Sequence, residues 1–336
     1  MGKKILITGA SGFIGSFLCQ KGIDLGYEVW AGMRKSSSKK YLQDPNIQFI
    51  ELNFEDKELL KEQITSFNQV HGKFDIIIHN AGCTKAPRDE DYRNINFVNT
   101  KNFVDVLLDT DNNPEKFIFT SSLAAYGPGK ENTSEPVLLS QTPNPINLYG
   151  KSKLEAEQYL RSIPSLNCII MRPTGVYGPR EKDYFTVFNM INNKFEGYIG
   201  SKKQCLTFIY VADLVRVYYL AIEADIKNRS YFLSEDKWYY TDEFYRLIKK
   251  SLQKKTFSIT IPLFLVAFIA KINDGIGKVI GKNPTLNSDK LGILKSTNWI
   301  CETTPLKEEL NFETEYDLER GVQETALWYK EQGWLK

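Results

Sequence analysis

The feature that most restricts how this chain can fold lies at its start, where an apolar run meets a cluster of glycines. Lys3 to Thr8 reads as a fully buried parallel strand, and Gly9-Ala10-Ser11-Gly12-Phe13-Ile14-Gly15 follows and opens a helix through about Leu25. Strand, tight glycine turn and helix in succession form the first half of a βαβ unit, which places the chain in the α/β class with a parallel sheet. In that context the glycines have a use, because backbone N–H groups at the helix N-terminus can cradle a pyrophosphate. The spacing is Gly-x-x-Gly-x-x-Gly, with Ser11, Phe13 and Ile14 between the glycines.

The alternation continues. Glu28 to Gly32, Ile47 to Leu52, Asp75 to His79, Lys116 to Thr120 and Cys168 to Arg172 read as further strands, with a helix from about Asn94 to Leu108. This predicts a doubly wound parallel sheet, whose carboxyl ends gather ligands and chemistry. After the second strand comes Met33-Arg34-Lys35-Ser36-Ser37-Ser38, where an NAD site would carry a carboxylate for the ribose 2′-hydroxyl. A guanidinium with hydroxyls suits a 2′-phosphate, so Arg34 points to NADP, with NAD as the alternative. Leu52 falls where an adenine ring would pack, and the small residues Ala81 and Gly82 let the backbone approach a cofactor. His79, at a strand end, reads as a histidine held by hydrogen bonds.

Ser121-Ser122 follows the fifth strand, and a hydroxyl there can hydrogen-bond a substrate carbonyl or alcohol oxygen. Tyr149-Gly150-Lys151-Ser152-Lys153 heads a run of good helix formers, so Tyr149 and Lys153 stand one above the other on a helix face. A phenol titrates near pH ~10, and a neighbouring ammonium lowers that value toward neutrality. The pair is a candidate proton donor and acceptor.

Past residue 180 the pattern loosens. Phe185 to Asn193 reads as helix, Thr207 to Asp213 leads into another, Ser230 to Leu233 is a last strand, and Thr241 caps an amphipathic helix reaching Leu252. The expected division is a dinucleotide-binding domain over 1–173, rejoined by 205–234, and a smaller, mostly helical substrate lobe over 174–204 and 235–336. A net charge of +2 and the lack of a basic stripe argue against nucleic acid as a partner. Five cysteines without C-x-x-C spacing predict reduced thiols and no metal site. No signal peptide precedes the first strand, so a cytoplasmic protein is expected. The most apolar stretch, Ile259 to Ala270, is interrupted by Pro262 and too short to span a bilayer. Buried packing is the expected fate of the 261–280 region, with contact to a membrane surface as the alternative.

Seven groups of residues come in one order across most of the chain. They are Thr8-Gly9-x-x-Gly12-Phe13-x-Gly15, His79-x-Ala81-Gly82, Asn96 with Thr100, Ser121-Ser122-x-x-x-Tyr126-Gly127, Tyr149-x-x-x-Lys153, Arg172-Pro173 with Tyr177-Gly178-Pro179, and Phe208-Ile209-Tyr210-Val211-x-Asp213. Together they resemble the extended short-chain dehydrogenase/reductase superfamily, the group often labelled NAD-dependent epimerase/dehydratase. The resemblance implies a Rossmann fold with Ser122, Tyr149 and Lys153 as catalytic residues. Tyr149 would be the general acid/base, Lys153 would lower its pKa and bind the nicotinamide ribose, and Ser122 would hold the substrate oxygen. It also implies cofactor contacts from Gly9, Ser11, Gly12, Phe13, Ile14, Gly15, Arg34, Leu52, Ala81, Gly82, Asn96, Tyr149, Lys153, Pro173 and Thr174. Substrate contacts would come from Lys85, Tyr126 and Tyr177, and a homodimer would form through the helices near 97–108 and 154–160.

Departures from the family pattern separate its branches. Its dehydratases carry an acidic residue just after the catalytic hydroxyl, where this chain has Leu123-Ala124. Epimerases acting at two carbons use a histidine and a cysteine beyond the tyrosine, and the only histidines here are His71 and His79. Four-position epimerases need neither, but usually clamp a diphosphate with arginines, one just before the Phe208 motif. Gln204-Cys205-Leu206-Thr207 stands there, leaving lysines such as Lys202, Lys203 or Lys282. The apolar 261–269 stretch and Trp299 look more like the 3β-hydroxysteroid dehydrogenase and dihydroflavonol reductase branch. The expected activity is therefore an NADP-dependent oxidoreductase interconverting a secondary alcohol and a ketone on an apolar substrate. A nucleotide-sugar 4-epimerase is the alternative, and a non-catalytic dinucleotide sensor the third reading.

Overall fold

The computed structural model describes residues 2–200, 203–280 and 287–336. The first half of the chain runs β1 (Lys4–Thr8), α1 (Phe13–Asp24), β2 (Glu28–Met33), β3 (Gln48–Glu51), α2 (Lys57–His71), β4 (Ile76–His79), α3 (Asp89–Arg93), α4 (Asn99–Asp109), β5 (Lys116–Thr120), α5 (Leu148–Arg161) and β6 (Cys168–Pro173). Then follow β7 (Gly175–Tyr177), α6 (Asp183–Asn192), β8 (Phe195–Ile199), β9 (Cys205–Tyr210), α7 (Val211–Glu223), β10 (Ser230–Leu233), β11 (Trp238–Tyr240) and α8 (Thr241–Leu252). The chain closes with β12 (Phe257–Ile261), α9 (Leu263–Ile280), α10 (Ser288–Lys295), β13 (Asn298–Trp299), α11 (Thr304–Leu310) and α12 (Leu318–Glu331).

Seven strands pair in parallel in the order β10-β6-β5-β4-β1-β2-β3. This is the doubly wound sheet that the alternation predicts. The chain leaves β1 toward β2 and returns to β4 on its other side, which opens a crevice at the carboxyl ends of β1 and β4. The two-residue strand period divides the core. Ile5 and Ile7 pack with Leu18, Leu214 and Tyr218 of α1 and α7, whereas Leu6 packs with Leu60, Phe103 and Ala156 of α2, α4 and α5.

The structure departs from expectation in the lobe and at one helix. Helix α2, capped by Asp56 through the Leu59 N–H at 3.0 Å, fills the stretch between the third and fourth strands, for which no element is predicted. Ser230–Leu233 is not the last strand: β9 forms a small sheet with β7, β11 and β13, and β12 pairs with β8. These strands have two to six residues, too few for alternation to stand out. Within 205–234, β9 belongs to the small sheet, while α7 packs on α1 and β10 joins the main sheet. Thr241 is the first residue of α8 rather than its cap. The cap is Tyr240, whose N–H donates to the Glu243 carboxylate at 2.8 Å.

The 261–269 stretch does not supply lobe core as expected. Phe264, Leu265, Phe268 and Ile269 are exposed, and among the described side chains of α9 only Val266 and Ala270 are buried, against Leu291 of α10. Among the described residues no helix is long and apolar enough to cross a membrane, and no metal-binding cluster occurs.

Candidate active site

The carboxyl ends of β1, β4, β5 and β6 open into a cleft of about 1810 Å³, continued by the lobe. Gly9, Ser11, Gly12, Phe13 and Ile14 line one part of it. Gly9 has φ of +64°, and a Cβ there would stand 2.9 Å from the Asn80 carbonyl oxygen and the Ala81 backbone, so only glycine fits. Gly12 caps α1 without a side-chain bond, leaving first-turn N–H groups at the cleft edge as an anion cradle. Gly15 does not line the cleft. A Cβ at Gly15 would approach Gly9 O to 2.2 Å, so this glycine lets α1 pack on the turn. Arg34, with Lys35, Ser36 and Ser37, lines the cleft beside Leu52, and Ala81, Gly82, Pro173 and Thr174 also contribute. A dinucleotide fits this cradle.

Ser122, Tyr149 and Lys153 converge on the same cleft. Asn147 caps α5 by accepting the Gly150 N–H at 2.8 Å, which starts the helix one residue before Tyr149. Lys153 is buried, donates to the Thr120 carbonyl at 2.8 Å, and lies 4.9 Å above the Phe119 ring. Ser122 accepts the Ala124 N–H at 3.1 Å and hydrogen-bonds Tyr149. Burial pushes the Tyr149 phenol up to about 12, against the Ser122 hydrogen bond. Burial also pulls the Lys153 ammonium down to about 8. The expectation that the ammonium dominates the phenol is thus reversed, because desolvation disfavours the charged form of each. His79 bonds Thr8 Oγ1 at 2.9 Å and Thr100 Oγ1 at 3.0 Å, and burial drives it down to about 3. It is a neutral strut.

Three residues expected at the site stand behind its walls. Asn96 is buried, accepts the Cys83 N–H at 2.9 Å, and donates to Cys83 O and Ser152 Oγ, each at 3.0 Å. It therefore ties the turn after Gly82 to α5 without lining the cleft. Tyr126 lies under the Arg172 guanidinium at 4.5 Å, and its hydroxyl donates to Leu139 O at 3.0 Å. Tyr177 is fully buried against Phe208 and Tyr210, because β7 pairs with β9 and turns that side chain into the lobe core. Neither tyrosine reaches the cleft, which corrects their expected substrate contacts.

Lys85 lines the cleft, paired with Asp183. Lys290 of α10 also lines it, a residue the sequence did not single out. Burial and the Lys85 charge lower the Lys290 pKa, so the two cations sense each other. Gln204, in the place of a family arginine, donates to Ile293 O at 3.0 Å and Ser296 O at 2.8 Å at the end of α10. Lys203 pairs with Asp242 at 2.9 Å outside the cleft, and Lys202 and Lys282 lie outside the described residues. Trp299 lines the cleft, but no residue from 257 to 272 does.

The model of the NAD dependent epimerase/dehydratase family matches residues 5–233. Two curated proteins are similar over 97% of this chain and 95% of their own. They are the N-acetyl-alpha-D-glucosaminyl-diphospho-ditrans,octacis-undecaprenol 4-epimerase of Escherichia coli O157:H7, 25% identical, and the UDP-glucose 4-epimerase of Vibrio cholerae, 26% identical. The crystal structure of the Thermotoga maritima UDP-glucose 4-epimerase with UDP-glucose matches with a TM-score of 0.77 and 23% identity, over 98% of this chain and 99% of its own. The UDP-glucuronic acid 4-epimerase of Bacillus cereus in complex with NAD matches with a TM-score of 0.76 and 19% identity, again over 98% and 99%. These structural likenesses establish the fold.

Proposed function

Since this chain belongs to the NAD dependent epimerase/dehydratase family, we propose that it is a 4-epimerase of a sugar joined to its carrier through a diphosphate. The observation that carries this reading is full-length similarity to two relatives named for that reaction, one on a nucleotide sugar and one on an undecaprenol-linked sugar. Leu123-Ala124 offers no carboxylate beside Ser122 for expelling water, which favours epimerisation over dehydration. Lys85, from the loop after β4, and Lys290, from α10, support a diphosphate bound on the lobe side.

Each residue then has a task. Tyr149, once deprotonated, takes the proton of the sugar 4-hydroxyl as the ketone forms and returns it when the opposite face is reduced. Ser122 donates a hydrogen bond to that oxygen and holds Tyr149 in line. Lys153, tethered to Thr120, supplies positive charge one helical turn from the phenol. A nicotinamide in the cleft would accept and return the hydride. Arg34, Lys35, Ser36 and Ser37 support NADP, although NAD is the cofactor of the Bacillus cereus structure.

The other reading, an NADP-dependent reductase of an apolar ketone, keeps Trp299 in the cleft lining but loses the apolar 261–269 stretch, which stands outside the cleft. The test is to denature purified protein, identify any released nucleotide, and incubate native protein with UDP-N-acetylglucosamine and with its undecaprenyl-diphosphate counterpart. Epimerisation without added reductant supports the proposal. Turnover of apolar ketones with stoichiometric NADPH consumption, and none of either sugar, overturns it.

A further inference from the structure

The part of the lobe formed by β8, β12 and α9 is built with its apolar side outward. In the parallel β8–β12 pair, Phe195 stands opposite Phe257 and Ile199 opposite Ile261, and residues so paired share one face of the sheet. These four and Ile259 are exposed, whereas Glu196 and Ser258, on the alternate face, hydrogen-bond each other and Glu196 pairs with Lys249. Helix α9 repeats the inversion. Phe264, Leu265, Phe268, Ile269 and Ile272, at helical three- and four-residue spacing, are exposed, while small Ala270 and Val266 face α10. Phe264 is 76% exposed, Phe257 69%, Phe268 61% and Phe195 51%. At ~150–250 Å² per aromatic side chain, these four rings together leave on the order of 500 Å² of apolar surface exposed.

We propose that this face docks on an anionic lipid bilayer. Its polar rim is basic: Lys194 precedes Phe195, Lys254 and Lys255 precede Phe257, and Lys271 lies among the exposed residues of α9. None of these four forms an ion pair with the described residues. The one carboxylate described in α9, Asp274, accepts the Ser288 N–H. Exposed aromatic and aliphatic side chains with lysines next to them in the chain match the boundary between acyl chains and anionic headgroups. A second copy of the chain fits less well, since a twofold contact would set this rim against itself. The face also runs into the cleft mouth. Ile199 is both exposed on it and part of the cleft lining, and α10, which carries α9, contributes Lys290, Ile293 and Leu294 to that lining. Docking would thus bring the cleft mouth to the headgroup plane. No helix described here can cross, so the contact is peripheral.

This inference is independent of the epimerase reading. The test is co-sedimentation of the full chain with vesicles of phosphatidylcholine alone and of phosphatidylcholine with phosphatidylglycerol. It is paired with the double variant Phe264→Ser/Phe268→Ser and with Lys254→Gln/Lys255→Gln, each checked for an unchanged melting temperature. Binding at least about tenfold tighter to the anionic vesicles, weakened by salt and lost in the phenylalanine variant, is expected. Failure of the parent to bind either vesicle, or equal binding by parent and phenylalanine variant, overturns the proposal. So does light scattering that shows a dimer which the phenylalanine variant dissociates, because the face would then belong to a second copy.

Discussion

Lys153 Nζ donates to the Thr120 carbonyl at 2.8 Å, which anchors the cation of α5 to the end of β5, two residues before Ser122. One bond thereby couples the helix that carries Tyr149 to the turn that carries its hydrogen-bond partner. Tyr149→Phe is expected to lower turnover by ~10²–10⁴ with an unchanged melting temperature, read by steady-state kinetics and thermal unfolding.

Rate should also depend on the charge of Lys153. With its ammonium down to about 8, the cation is lost as pH rises through that value, and turnover should fall on the alkaline side. Lys153→Met should be slow at every pH and lack this limb, which a pH–rate profile would read.

The Gly9 turn has no room for a side chain. Gly9→Ala meets a φ of +64° and backbone 2.9 Å away, so strain of about 1–3 kcal/mol is expected together with weakened cofactor binding. Calorimetric titration with NADPH and a denaturant melt check the two parts separately.

Arg172 and Glu157 form a buried pair, with Nε–Oε1 at 2.9 Å and Nη2–Oε2 at 2.7 Å, and Ser121 also donates to Glu157. Removing one partner leaves a buried charge, so Glu157→Ala should lose about 3–5 kcal/mol in a urea melt.

Glu235 is buried, and desolvation together with Asp317 raises its carboxyl to about 8. In the unfolded chain it titrates near ~4.3, so the native state holds the extra proton between those values. The resulting stability is fully present below the lower value and lost as pH rises through the upper one. Melting temperature should fall across that window, and Glu235→Gln should flatten the fall.

What the sequence made legible was local. The glycine turn, the β1 run and the four-residue step from Tyr149 to Lys153 depend on neighbours in the chain, and the structure brings them to one cleft. Helix α2 was equally readable, with Asp56 as cap and Leu60, Ile64 and Phe67 on one face. Lys290 could not be read, because its place depends on α10 packing under the lobe and on Gln204 holding that helix's end. Tyr126 and Tyr177 matched a pattern, but a pattern does not say which way a turn or a strand points its side chain. Composition marked 261–269 as apolar, but only packing shows that its rings point outward.

The most direct measurement follows a C4-deuterated sugar, supplied both as UDP-N-acetylglucosamine and as undecaprenyl-diphosphate N-acetylglucosamine, without external reductant. The account predicts an inverted product from at least one of them with the deuterium still at C4, formed ~10²–10⁴-fold more slowly by Tyr149→Phe. Loss of the label from the product, or turnover of neither sugar by protein shown to bind nicotinamide cofactor, would contradict it.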